Sequence, residues 1–229
     1  MTPDHPSATA HPSPNCGARR GGARPDMIVL HYTGMESRAA AQERLCDPDA
    51  EVSAHYLVSE TGALWQLVPE AQRAWHAGAG HWAGVTDVNS RSIGIELVNT
   101  GNAPFPEPQM AMLEQLMAGI MARWSIEAHR VIAHSDMAPD RKFDPGPRFD
   151  WRRLALSGLS VWPEPADGGD FLDAARRFGY PPEATPEEIL HAFRLRFRPW
   201  ASGPADETDA ALAADLARRF PVDRDAPSA

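Results

Sequence analysis

Three short apolar runs constrain this chain more than anything else in it. MIVLHYT (27–33), SIGIELVN (92–99) and RVIAHS (130–135) are rich in β-branched and apolar residues. Each has strand length, and each reads as a buried strand. VSAHYLVSETGALWQLV (52–68) reads as two further strands around a glycine-bearing turn, a hairpin. SRAAAQERLCDP (37–48) reads as a helix that stops before Pro48. EPQMAMLEQLMAGIMARW (107–124) is the clearest helix. Its Leu113, Leu116, Met117, Ile120, Met121 and Trp124 fall on one apolar stripe, and its methionines read as core. RAWHAGAGHWAGVTDVNSR (73–91) is rich in small residues and reads as a long loop, a kind of segment often kept for function. Strands and helices alternate without strict βαβ repetition. The expected class is α/β (α+β), a central mixed β-sheet flanked by helices.

Composition marks off the two ends. Residues 1–25 form a Pro-, Gly- and Ser-rich arm, flexible or clamped, at the start of a catalytic domain expected over 1–162. Residues 163–169 read as a linker, and 170–222 as a small three-helix module. Phe171, Leu172, Ala175 and Phe178 mark its first helix, and Leu212, Leu216 and Phe220 its third. The middle helix opens on Thr185, Pro186 and Glu188, a capping-box start with proline at the first helical position. The module is expected to fold independently and to contribute to binding polymer. Arg194, Arg196 and Arg198 form either a binding face or a solvated stretch.

The net charge of −9 argues against a nucleic-acid partner held through phosphates, although a local field can oppose the global one. Two cysteines imply no disulfide framework. No run of 18 apolar residues is present, so no membrane span is expected. The first 25 residues hold no apolar run of signal-peptide type. The expected location is cytoplasmic, or periplasmic if the chain has been trimmed. A monomer is expected.

The residues that carry chemistry cluster at strand ends. His31 closes one apolar strand and His134 another, where a cleft can open. With Asp144, ten residues beyond His134, they make a two-histidine, one-carboxylate set of the kind that holds a catalytic zinc and leaves a fourth position for water. In an extended KFD (142–144), Lys142 and Asp144 point to the same side. The prolines and glycine of AHSDMAPDRKFDPGPRFDW (133–151) would fix that loop rigidly. Glu96 stands amid an apolar strand, on the face it shares with Ser92, Gly94 and Val98. A glutamate there is either ion-paired or catalytic. His5, His11 and His191 read as solvent-facing, and His129 as closing a helix.

IVLHYT, VSAHYLVSETG, RAWHAG, NSRSIGIEL and AHSDMAPDRKFDPGPRFDW, in this order over residues 15–155, resemble the zinc-dependent N-acetylmuramoyl-L-alanine amidases of type 2. That family is related to phage amidases and peptidoglycan recognition proteins. The resemblance implies zinc (Zn2+) on His31, His134 and Asp144, Glu96 as general base, and Lys142 steadying the oxyanion. It implies cleavage of the amide between N-acetylmuramic acid, or its 1,6-anhydro form, and L-alanine. The partners would be peptidoglycan fragments or polymer, in cell-wall turnover or recycling. Trp75, His76 and Asn89 are expected at the substrate groove, Asn89 alternatively as a tie for the loop. Where phage and recognition-protein branches often carry a catalytic tyrosine, this chain has Ala54, and His55 beside it is expected to be structural. The tail resembles a peptidoglycan-binding module. The alternatives are a catalytically silent recognition protein and a zinc hydrolase of ordinary peptides.

Overall fold

The computed structural model describes residues 1–222. In chain order its strands and helices are β1 (Ala8–Ala10), β2 (Cys16–Gly17), β3 (Met27–Tyr32), α1 (Arg38–Cys46), β4 (Tyr56–Val58), β5 (Leu64–Gln66), β6 (Arg73–Ala74), α2 (Val88–Arg91), β7 (Ser92–Leu97), α3 (Glu107–Trp124), β8 (Val131–Ala133), α4 (His134–Met137), α5 (Trp151–Leu156), α6 (Phe171–Phe178), α7 (Pro186–Phe197) and α8 (Glu207–Arg219). The main sheet has the order β1-β5-β4-β7-β3-β8. Only the β4–β5 hairpin is antiparallel; the other neighbours run parallel. The class is the mixed α/β arrangement expected. Among the described residues no helix is long and apolar enough to cross a membrane.

The continuous apolar run of β3 follows from burial on both faces. Ile28 and Leu30 join Ile93, Ile95, Leu97, Val131 and the α3 stripe in one core. Met27 and Val29 point the other way, into a second core. Period-2 alternation then places His31 on the second face. Leu57 faces α1 in a third, smaller cluster with Ala54, Leu67 and Val98.

The second core is largely supplied by the tail. Phe171, Phe178, Tyr180, Phe193 and Phe197 pack with Met27, Val29, Ile132 and Trp82 as one apolar cluster. This packing argues against independent folding of the three helices, because they close their core on the sheet. The capping box at Thr185 forms as expected: Thr185 Oγ1 accepts from the Glu188 amide and Glu188 Oε2 from the Thr185 amide. The three arginines in and just after α7 belong to neither outcome expected of them. Arg196 is 1 % exposed. It donates to Asp136 Oδ2 (2.6 Å), Val131 O (2.9 Å) and Ser160 Oγ (3.2 Å), with its guanidinium 4.4 Å from the Trp151 ring centre. Arg194 pairs with Asp209, and Arg198 with Asp206 and Asp209.

The N-terminal arm is clamped. β1 adds in parallel to β5, and β2 pairs with β6. Buried Arg19 donates to the carbonyls of Asn89, Ser90, Ser92 and Glu70; burial lowers its pKa to about 10. His5 is buried, not solvent-facing as expected, because the arm lies over the sheet edge beside Glu70 and Arg123. His11 and His191 are exposed. His129 stacks on Phe220, with ring centres 5.4 Å apart.

Removing Arg196 leaves the Asp136 carboxylate buried without its cation. Arg196→Ala is expected to cost about 3–5 kcal/mol of unfolding free energy, and pairing Arg196→Met with Asp136→Asn should recover much of that loss. Urea denaturation of the three proteins checks both outcomes.

Candidate active site

Three donor atoms converge at the C-terminal ends of β3 and β8. His31 Nδ1 lies 2.9 Å from His134 Nδ1 and 2.9 Å from Asp144 Oδ2, and His134 Nδ1 lies 3.0 Å from the same oxygen. These spacings approach the roughly 3.3 Å edge of a tetrahedron built on zinc–ligand bonds of about 2.0–2.1 Å. All three residues are buried. His31 is the last inward residue of β3, and His134 opens α4, which follows β8 without a break. Asp144 sits on the Pro/Gly loop, whose carbonyl at the same residue accepts the Ser135 amide (3.1 Å). The loop thus folds back onto the turn that carries His134.

The other ring nitrogens are engaged. His134 Nε2 lies 3.0 Å from Ala77 O. A carbonyl only accepts, so the proton of His134 is on Nε2 and its Nδ1 presents a lone pair to the site. His31 Nε2 lies 3.0 Å from His76 Nδ1. Two imidazoles and one carboxylate, converging on one point and backed by outer partners, could hold a metal ion.

The electrostatics agree with that reading. Burial, and next the neighbouring His134, lower His31 to about 4, against the raising effect of Asp144. His76 is also lowered well below the ordinary imidazole value, first by burial and then by the neighbouring histidines. His31 and His76 are therefore held neutral, the form in which an imidazole nitrogen keeps a lone pair to offer.

Glu96 stands next to His31 across the ladder. The parallel register pairs the two residues directly, so both side chains leave the sheet on the same face. Burial, then repulsion from Asp144, raise Glu96 to about 8, with Lys142 pulling the other way. Its Oε2 has no hydrogen-bond partner among the described residues. A structural ion pair would have filled that valence; a carboxylate kept for proton transfer need not.

His31, Glu96, His134, Lys142 and Asp144 all border one cleft of about 430 Å³, together with Trp75, Tyr32, Phe143, Arg44 and Arg141. The cleft gathers Lys142, Arg44 and Arg141 at its wall in a chain of net charge −9. Trp75 borders it as expected. His76 also borders it, but both of its ring nitrogens are taken, by His31 and by Ser92 Oγ (3.1 Å). Asn89 is only 5 % exposed and lies off the cleft: its Oδ1 accepts the amides of His76 (3.0 Å) and Ala77 (2.9 Å). It ties the loop, for the physical reason that two adjacent amides of that loop have no strand partner. His55 is a cross-strand residue, accepting from the Gly94 amide at Nδ1 (3.0 Å) and reaching Gln72 O with Nε2 (3.0 Å).

Sequence reasoning missed Ser92, Gly94 and Ala77. Ser92 and Gly94 share the Glu96 face by alternation, and that was the available signal. Gly94 is required because a Cβ there would lie 2.4 Å from the His76 ring. Ala77 acts through its carbonyl, which leaves no mark in a sequence.

The family model for N-acetylmuramoyl-L-alanine amidase matches residues 21–147. The amidase AmiD of Escherichia coli is 36 % identical over 86 % of this chain and 84 % of its own length. The 1,6-anhydro-N-acetylmuramyl-L-alanine amidase AmpD of Salmonella typhimurium is 35 % identical over 65 % of this chain and 89 % of its own. The structure of AmiD in complex with anhydro-N-acetylmuramic acid-L-Ala-D-γ-Glu-L-Lys aligns over 90 % of this chain and 93 % of that one, with a TM-score of 0.80. That of AmpDh3 from Pseudomonas aeruginosa with anhydromuramic pentapeptide aligns over 96 % and 99 %, with a TM-score of 0.79 at 30 % identity. With a matched family model covering its whole cleft and a relative similar along most of its length, this chain belongs to the N-acetylmuramoyl-L-alanine amidases.

Proposed function

We propose that this amidase is zinc-dependent, with His31, His134 and Asp144 as ligands, and that it hydrolyses the amide between N-acetylmuramic acid, including its 1,6-anhydro form, and L-alanine. The observation that carries the proposal is the convergence of two histidine Nδ1 atoms and one carboxylate oxygen within 3.0 Å of one another, beside a glutamate whose Oε2 has no hydrogen-bond partner among the described residues. The anhydromuropeptides bound by AmiD and AmpDh3 support the substrate class.

A zinc ion at this point would supply Lewis acidity, bringing the pKa of a water near 7 and polarising the scissile carbonyl. Glu96 takes a proton from the attacking water as its oxygen bonds to the lactyl carbonyl carbon. Lys142, which also lines the cleft, places an ammonium beside the oxygen that gains charge. Glu96 then hands its proton to the alanine nitrogen as the C–N bond breaks. Trp75, in the loop at the cleft, offers an apolar face to the sugar or the stem peptide.

Where Phe143 of the loop meets His191 of α7, ring centres 5.5 Å apart, a substrate extending beyond the cleft would run onto the helical unit. We assign that unit a share in holding polymer on this ground. A recognition-only protein has no need of Glu96 in this setting, and nothing observed favours that alternative.

The purified protein should carry one zinc per chain by elemental analysis, and His134→Ala should lose it; full metal content in that variant would overturn the ligand set. Glu96→Gln should keep the metal and the fold while lowering turnover by about 10²–10⁴-fold, read by mass spectrometry of products from a soluble anhydromuropeptide. Because Glu96 works as a carboxylate, turnover in the parent should rise with pH through its titration. In Glu96→Gln that limb should be missing from the pH profile.

A further inference from the structure

Behind the proposed ligands, one buried side-chain relay has every proton fixed by its far end. Ser92 Oγ lies 2.6 Å from Val88 O. A carbonyl only accepts, so the single hydroxyl proton points there. Ser92 Oγ must then accept from His76 Nε2, 3.1 Å away, which places the His76 proton on Nε2. His76 Nδ1 is left with a lone pair, 3.0 Å from His31 Nε2, and accepts from it. His31 Nδ1 is thereby bare, and it is the atom that meets His134 and Asp144. Asn89 serves both ligands at once. Its Oδ1 holds the amide of His76, the partner of His31, and that of Ala77, whose carbonyl is the partner of His134.

We propose that Ser92, His76 and Asn89 are positioning residues that set the ring tautomer of both histidine ligands, so that metal affinity depends on a serine hydroxyl with no contact to the metal. The slot is built for the purpose. Gly94 leaves the space that the His76 ring occupies, since any Cβ there would lie within 2.4 Å of it. Ser92, His76 and Asn89 are all buried. They come from three places, the start of β7, the long loop and α2, which the fold brings together behind β3.

Without the serine oxygen, His76 has no reason to keep its proton on Nε2. With the proton on Nδ1, it would donate to His31 Nε2 and force the His31 proton onto the atom that faces the site. Partners of this kind typically contribute about 10–100-fold to metal affinity.

The inference rests on the zinc reading above, and the experiment separates the two. Zinc affinity is measured on the full chain by competition with a chromophoric chelator, for the parent, Ser92→Ala, Ser92→Thr and His76→Phe. Nitrogen-15 spectra of the histidine rings are recorded on the metal-free proteins. The expected result is zinc binding weakened about 10–100-fold in Ser92→Ala and His76→Phe, with Ser92→Thr restored toward the parent. The parent spectrum should show His31 protonated at Nε2 only, and Ser92→Ala should show a mixture. Equal zinc affinity in parent and Ser92→Ala, or an unchanged His31 tautomer, would overturn the proposal. A parent that binds no zinc would overturn the ligand assignment instead, and the ring spectra would still decide the relay. If His76→Phe does not fold, the loss of one oxygen in Ser92→Ala carries the test alone.

Discussion

A carboxylate sealed from water must be surrounded by donors, and the order of this molecule follows from how Asp136 is surrounded. It is fully buried. One oxygen takes the Tyr180 hydroxyl (2.7 Å); the other takes Arg196 (2.6 Å) and the Ala133 amide (2.9 Å). The amide bond makes Asp136 the cap of its own turn, and that turn begins at His134. The charge that steadies a proposed metal ligand is therefore neutralised from α7, sixty residues further along the chain. Leaving such a carboxylate without its cation costs far more than a surface ion pair contributes, so the sheet, the turn and the tail are bound to one arrangement.

The sheet divides its labour by face. One face is largely apolar and covered by α3. On the other, the tail fills the region over Met27 and Val29, α1 covers Leu57, and the strand ends between them are left to the cleft. The parallel register fixes His31 beside Glu96. A slip of one residue in either strand would send one of them into the α3 core. The pairing of the proposed ligand with the proposed base is thus a property of the ladder, and the loops add Asp144, Lys142 and the outer partners around it.

Much of this could be read from residue order. Apolar runs of strand length, the 3.6-residue stripe of α3 and the Thr185 capping box are local signals, and local physics produced the same elements in three dimensions. His31, His134, Asp144, Glu96 and Lys142 stood out because polar groups sat where apolar residues or plain loop residues belonged. What the sequence hid was long-range. Nothing local distinguishes Arg196, at the centre of a buried clasp, from Arg198, paired near the surface, because only the fold brings Asp136 to one and Asp206 to the other. The arm read as either flexible or clamped, because the partners that decide it lie on β5 and the loop beyond. Ser92 was an ordinary strand residue, and Asn89 either a groove residue or a tie for the loop, until the fold brought both against His76.

The connection between sheet and tail has a consequence for the chain as a covalent object. The linker after Trp162 is itself held, by Asp215 Oδ2 on the Glu164 amide and by Ala211 O on the Ala166 amide. The aromatic layer from Phe171 to Phe197 is continuous with β3 and β8. A protease that cut within residues 163–169 would sever a peptide bond but no layer of the core. The nicked protein would travel as one particle and separate into two pieces only on unfolding, so what the sequence presents as a linker between modules is, mechanically, a seam inside one body.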